Sequence, residues 1–242
     1  MLHWFKKKGT PPATPLTTDL HSHLLPALDD GVQTFEQAEE IIREFQRLGY
    51  TKLITSPHVM SDSYRNTTDG ILARLDELRR YLHERGVMME LHSAAEYYLD
   101  AQLMHMLENN MPLLTLGKNY LLFETNFLTE PFNMKEFIFL ASVKGYRPVL
   151  AHPERYMYLL RDEAKLQDYL DRGILLQVNI GSIVGHYSRD VQQAANRLID
   201  KGWVHFLGSD CHHLQHAQLI ARAQGMKYFQ KALSLPLLNH TL

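Results

Sequence analysis

Residues 34–55, TFEQAEEIIREFQRLGYTKLIT, contain the pattern that decides the fold. Phe35, Ala38, Ile41, Ile42, Phe45 and Leu48 recur at the spacing that lines one face of a helix. Thr34 and Gln37 can form a capping box at its start, and Gly49 can end it. A short apolar strand at 52–55 follows at once. The same unit of helix, glycine and strand recurs outward. Helices are expected at 69–85, 133–144, 162–172 and 188–201, each closed by the next glycine, Gly86, Gly145, Gly173 and Gly202. Strands are expected at 16–20, 52–55, 87–94, 120–123, 148–151, 174–180 and 203–207. Strands that alternate with helices imply parallel pairing, because a parallel connection needs a crossover of a dozen or more residues. An α/β fold with a β/α barrel leads. A doubly wound open sheet shares the alternation, but no glycine-rich phosphate loop supports it.

Composition narrows the classes. The chain has 242 residues, 45% hydrophobic and 21% charged, which suits one globular domain and excludes disorder, collagen-like repeats and coiled coil. With 25 Lys plus Arg against 27 Asp plus Glu, the formal net charge is -2, so no basic excess exists to grip nucleic acid. The single cysteine, Cys211, allows neither an internal disulfide nor a thiolate-rich metal site and fits a reducing cytoplasm. Residues 1–15 read as a flexible arm and 16–242 as one domain. In the arm no apolar stretch follows Lys6, Lys7 and Lys8, so export is not expected. Leu2, Trp4, Phe5 and the lysines could touch an anionic membrane only weakly. No run approaches the roughly 20 apolar residues of a membrane span, so membrane insertion is not expected. A cytoplasmic location is.

The anomaly is the 14 histidines. His21 and His23 follow the first strand, His58 the second, Glu96 the third, Glu124 the fourth, His152 the fifth, and Asp210 with His212 the seventh. In a β/α barrel those strand ends converge on one face, so residues remote in sequence become neighbours. Two residues apart on an extended end, His21 and His23 can share a cation, and Asp210 and His212 repeat the spacing. Glu96 and Glu124 end apolar strands, where an unpaired carboxylate costs several kcal/mol. Arg155 is the one nearby arginine, which leaves the acids short of positive charge unless divalent cations supply it. Asp29 reads as one of a helix-start pair of acids. His83, His92, His105, His205, His3 and His240 read as structural or peripheral. His213 and His216 lie near enough to support the cluster, and His186 could reach substrate. Cys211 is no phosphatase nucleophile, since that class needs an arginine six residues on and position 217 is alanine.

The stations Asp19–His23 (DLHSH), Asp29–Gly31 (DDG), Ser56–His58 (SPH), Ala95–Tyr98 (AEYY), Phe123–Glu124 (FE), Ala151–Tyr156 (AHPERY) and Ser209–His212 (SDCH) resemble, in order and spacing, the polymerase and histidinol phosphatase (PHP) superfamily. The closer resemblance is to the bacterial metal-dependent tyrosine-protein phosphatases of the CpsB/YwqE type. That resemblance implies a distorted (β/α)7 barrel holding three divalent metals, manganese first, with iron or zinc possible. One ion would bind His21, His23, Glu96 and Asp210. A second would share Glu96 and add Glu124 and His152, and a third would take Asp30, His58 and His212. Arg155 would bind the substrate phosphate, with His21, His23 and Asp210 at the reacting centre. A second phosphate-binding arginine of some members has no obvious counterpart, since Ala217 stands near its place and the next arginine is Arg222. The implied activity is hydrolysis of phosphotyrosine in proteins, on the tail of a membrane-bound bacterial tyrosine kinase in capsule or exopolysaccharide synthesis. The alternatives are a small-molecule phosphatase, with histidinol phosphate as substrate, and a non-catalytic metal-binding regulatory domain.

Overall fold

A computed structural model describes residues 15–242; all of the expected arm before Pro15, with its lysines and its apolar Leu2, Trp4 and Phe5, lies outside them. Strand β1 (Thr18–Asp19) leads to helix α1 (Phe35–Arg47). The Thr34 side chain accepts from Gln37 N and the Gln37 side chain accepts from the Thr34 backbone, the reciprocal cap expected of that pair. Ala38, Ile41, Ile42 and Phe45 are buried, and Gly49 takes the left-handed φ of 93° that turns the chain into β2 (Lys52–Thr55). There follow β3 (His58–Val59), α2 (Thr68–Glu84), β4 (Glu90–Ser93), β5 (Glu96–Tyr98), α3 (Ala101–Glu108), β6 (Tyr120–Glu124), α4 (Met134–Val143) and β7 (Arg147–Ala151). A 3-10 turn (Pro153–Arg155) then precedes α5 (Glu163–Asp171), β8 (Leu175–Asn179), α6 (Ile180–Ile183), α7 (Arg189–Lys201), β9 (Phe206–Gly208), α8 (Leu214–Gln224) and α9 (Lys227–Leu233).

Every pairing between these strands is parallel, in the orders β1-β2-β4 and β3-β5-β6-β7-β8-β9. The two sheets form one curled surface. Thr55 pairs with Ser93 and His58 with Glu96 in unchanged register, and Glu96 N donates to Pro57 O (3.1 Å) across the break. Pro57 has no N–H to give the ladder, which interrupts it there. At the far edge the first and last strands are stitched together. Asp210 N donates to His21 O (2.7 Å) and His23 N to Cys211 O (2.8 Å). Lower on the seam, side chains replace the ladder. Ser209 N and Oγ donate to the Asp19 carboxylate (2.8 and 2.9 Å), and Asn239 Nδ2 donates to Thr18 O (3.2 Å) and Leu207 O (2.8 Å).

Two apolar layers follow. The larger packs the helices onto the outer face of the sheet, and a smaller cluster of Leu20, Ile54, Ala94, Leu122, Val149, Ala151, Leu175 and Phe206 fills the curl. Alternate residues of a strand share a face. Ala94 therefore places Glu96, Leu122 places Glu124, Leu175 places Gln177, and Phe206 places Gly208 on the same inner face, above an apolar floor.

Several expected bounds shift for a physical reason. The strand expected at 87–94 begins only at Glu90, because Val87 N is spent on Leu82 O (2.9 Å) in closing α2. Trp203 N likewise closes α7 on Leu198 O (3.0 Å), so β9 starts at Phe206 and not at 203. Glu96 opens β5 where a position past a strand end was expected. Helices α8 and α9 were not expected.

Candidate metal centre

The side chains singled out from the sequence meet at one end of the curled sheet. His21, His23, Asp30, His58, Glu96, Glu124, His152, Asp210 and His212 make up four overlapping groups of potential donors, each within 4.8 Å. Glu96 is central. Its Oε2 stands 3.2 Å from His21 Nε2, 3.2 Å from His58 Nδ1 and 3.6 Å from His23 Nε2, while Oε1 lies 3.1 Å from His152 Nε2. Asp210 Oδ1 is 3.5 Å from the Nε2 of both His21 and His23. His58 Nδ1 also faces Glu124 (3.1 Å), and Asp30 Oδ1 faces His58 Nε2 (3.5 Å) and His212 Nε2 (3.4 Å). His58 thus stands between the set containing Glu124 and the set containing Asp30.

Backbone conformation aims two of these residues inward. His152 (φ 36°), directly after β7, and Asp210 (φ 51°), two residues past the end of β9, take the left-handed conformation. Non-glycine residues avoid it, at a cost of order 1 to 3 kcal/mol that the surroundings must offset. Gly208 permits close approach, since a Cβ there would lie 2.7 Å from Gln177 Nε2 and 2.8 Å from His21 Cβ.

Electrostatics match a cation-binding set. Burial opposes charge on His21, yet Glu96 and Asp210 raise its pKa to about 10. Burial is likewise outweighed at His58, where Glu96 and Glu124 raise the pKa to about 10. Despite burial, His21 and His58 hold Glu96 well below the usual carboxylate range, and His21 and His23 do the same for Asp210. Several atoms aimed into this cluster, His21 Nε2, His23 Nε2, His58 Nδ1 and Glu96 Oε2, are buried without a hydrogen-bond partner among the described residues. Orphaned imidazole nitrogens facing an orphaned carboxylate oxygen are the donor set of a divalent ion. The residues present fit such a group.

A supporting layer was missed in the sequence. Asp29 is not a helix-start acid: its Oδ2 accepts from His23 Nδ1 (2.8 Å) and His58 N (3.0 Å), and Oδ1 from Gly31 N (3.0 Å). Burial would raise the Asp29 pKa, but His23 and these donors lower it to about 2. Gln177 Oε1 accepts from His21 Nδ1 (2.7 Å), Gln177 Nε2 donates to Asn179 Oδ1 (2.9 Å), and Asn179 Nδ2 donates to Asp210 Oδ2 (2.7 Å). With Nδ1 occupied, His21 and His23 each turn Nε2 toward the cluster. The available signal was two polar residues on one face of an otherwise apolar strand. Glu154, beside Arg155, accepts from Ser182 Oγ (2.6 Å) and Asn179 N (2.9 Å).

Arg155 Nη1 donates to Asp210 Oδ2 (2.9 Å), and its other guanidinium N–H groups meet no acceptor among the described residues. His216 Nδ1 accepts from His212 N (3.3 Å), and His186 stands on the rim with its ring 5.0 Å from that of His216. His83, His92, His105, His205 and His240 lie outside the four donor groups. His3 lies outside the described residues. Burial pushes the Cys211 thiol well above its usual range.

A family model described as capsular polysaccharide synthesis, CpsB/CapC, matches residues 17–233. The chain belongs to the CpsB/CapC family. The tyrosine-protein phosphatase YwqE of Bacillus subtilis is 26% identical over 197 residues, covering 81% of this chain and 78% of YwqE. The tyrosine-protein phosphatase CpsB of Streptococcus pneumoniae is 24% identical over 223 residues, 86% of this chain and 91% of its own. A crystal structure from work on YwqE and CpsB, described as unique metal-dependent tyrosine phosphatases, superposes with TM-score 0.76 at 25% identity over 91% of this chain and 95% of the other. An amidohydrolase from Mycoplasma synoviae, 10% identical with TM-score 0.53 over 93% and 87% of the two chains, shares the fold. Among the described residues no helix is long and apolar enough to cross a membrane.

Proposed function

We infer that this CpsB/CapC family member is a metal-dependent hydrolase of phosphotyrosine in proteins. The observation that carries the reading is a buried set of imidazoles and carboxylates facing one another with atoms that have no partner among the described residues, beside an arginine whose remaining N–H groups have none there either. Relatives named tyrosine-protein phosphatases support the substrate class. When bound, divalent ions supply neutralisation of phosphate charge and lower the pKa of water toward neutrality.

The chain's own residues do the rest. His21, His23, Glu96 and Asp210 would hold one ion, Glu96, Glu124 and His152 a second, and Asp30, His58 and His212 a third. Oxygen and imidazole donors without thiolate suit manganese first, then iron or zinc. Asp29 and Gln177 hold the His21 and His23 rings so that Nε2 faces inward. Arg155 receives phosphate oxygens on its free N–H groups, with Asp210 fixing its other edge. A phenol leaving group has a pKa of about 10, well below an aliphatic alcohol, so the site needs no strong general acid to release tyrosine.

The reading takes residues 16–242 as one domain, supported by a core that runs from Leu16 to Leu237. Counting β2 with β3, and β4 with β5, as single interrupted strands supports a distorted (β/α)7 barrel. The substrate we favour is the tail of a membrane-bound bacterial tyrosine kinase controlling capsule synthesis, met in the cytoplasm. The test is release of phosphate from a phosphotyrosine peptide with added manganese, for the native protein, chelator-treated protein and His21→Ala. Equal rates in all three would end the proposal.

A further inference from the structure

Phe127 is a large apolar side chain that remains 36% exposed at the edge of the metal centre. It is held there firmly. Phe127 O accepts from Met157 N (2.8 Å), Asn126 Oδ1 accepts from Leu128 N (2.8 Å) and Thr129 N (3.1 Å), and Thr125 N donates to Tyr156 OH (3.2 Å). The ring stacks against His152 (centroids 5.7 Å, planes 29° apart) and Tyr156 (5.4 Å, 26°). The Arg155 guanidinium carbon lies 4.7 Å from its centroid and 4.4 Å from that of Tyr187. Tyr187 is tied down through Asn179 Nδ2 (3.2 Å). Two aromatic rings therefore pack against this arginine; Tyr187 reaches a candidate ligand through its hydroxyl, which donates to Asp210 Oδ2 (3.4 Å), whereas Phe127 meets His152 with its apolar ring face and has no polar side-chain atom of its own.

We propose that Phe127 is a specificity-determining residue, the wall against which the aryl ring of the substrate lies while its phosphate meets Arg155 and the metal centre; this rests on the phosphatase reading above. Rings stack with centroids about 4.5 to 7 Å apart, a reach that a phenyl ester spans and a short alkyl ester does not. A ring fixed by backbone bonds costs little to order on binding, so its contact is expressed as selectivity. Phe127 thereby adds a choice between aryl and alkyl groups that is separate from the ease with which a phenolate leaves.

Phosphonates isolate that choice, because they bind without being cleaved. Phenylphosphonate and methylphosphonate are titrated by calorimetry into manganese-loaded native protein, Phe127→Ala and Phe127→Tyr, with turnover of p-nitrophenyl phosphate and metal content measured alongside. Native protein is expected to favour phenylphosphonate, the ratio of affinities to fall about threefold to tenfold in Phe127→Ala, and Phe127→Tyr to regain it. If Phe127→Ala weakens both phosphonates by the same factor, Phe127 only steadies Arg155 and the proposal is overturned. Native protein that cleaves p-nitrophenyl phosphate but binds both phosphonates equally also overturns it and leaves the phosphatase reading standing. Native protein that neither binds nor cleaves overturns both.

Discussion

Replacing Asp29 by Asn changes one atom and leaves every proposed ligand in place, yet it should cost metal. The Asp29 carboxylate accepts three N–H bonds, from His23 Nδ1, His58 N and Gly31 N. An asparagine can keep its oxygen on Gly31 N, but its amide nitrogen then confronts two donors. Hydrogen bonds to a charged group contribute about 1.5 to 3 kcal/mol, and loss of the partner that orients a ligating histidine costs about 10- to 100-fold in metal affinity. The two scales agree, because tenfold corresponds to about 1.4 kcal/mol. Manganese is titrated calorimetrically into chelator-stripped native protein, Asp29→Asn and Gln33→Ala. The Gln33 side chain donates to Asp29 O (3.0 Å) and Gly31 O (2.9 Å) and leaves the carboxylate alone. Asp29→Asn should weaken binding by about 10- to 100-fold, and Gln33→Ala by no more than about twofold. Equal affinity of native protein and Asp29→Asn would refute the claim that Asp29 aims His23.

In ion-free protein, His21 and His58 have pKa values raised to about 10 by carboxylates that outweigh burial. Their stabilisation is complete below the unfolded value near 6.5 and is lost as pH rises toward 10. The melting temperature of stripped protein should fall across that window while manganese affinity rises, because ions and protons compete; a flat melting profile would contradict this. Gly208→Ala should destabilise by about 1 to 3 kcal/mol in urea titrations and lower metal content, because the added methyl drives into His21 Cβ and Gln177. Arg155→Lys should lower kcat/KM for phosphotyrosine by about tenfold or more with metal content unchanged, since an ammonium loses the planar fork. Cys211→Ala should keep turnover within about threefold of native, as a buried thiol that remains protonated is no nucleophile. Abolished turnover in folded, metal-loaded Cys211→Ala would contradict the proposed chemistry.

Periodicity made the alternation of helices and strands legible, as in residues 34–55, and with it the end of the sheet where the candidate ligands gather. The groups that orient those side chains were harder to see. Asp29 was hidden because two acids before a glycine and a helix are ordinary helix-start chemistry, and only tertiary contact shows that Asp29 faces His23. Gln177 and Asn179 stood out as polar interruptions of an apolar strand, but their partners His21 and Asp210 lie just past the first and last strands, beyond any local pattern. Helix α8 follows a histidine-rich turn, and its N-cap, His213, makes no side-chain capping bond, so no start signal marks it. Ending the second strand at residue 55 left out its continuation past Pro57 as β3, because a proline after a short apolar run reads as the start of a loop and the unbroken register across it is a property of the neighbouring strand.

The stitched seam between β1 and β9 sets an order of events for synthesis. Asp19 meets Ser209 and Thr18 meets Asn239, residues made 190 and 221 positions later. His21 and His23 stand on the early side of that join, Asp210 and His212 on the late side. A nascent chain can wrap its middle helices as they emerge, but it must keep its first histidines waiting on the ribosome until nearly everything else has been translated. An ion held by His21, His23, Glu96 and Asp210 together, as proposed, would have to wait for that late side.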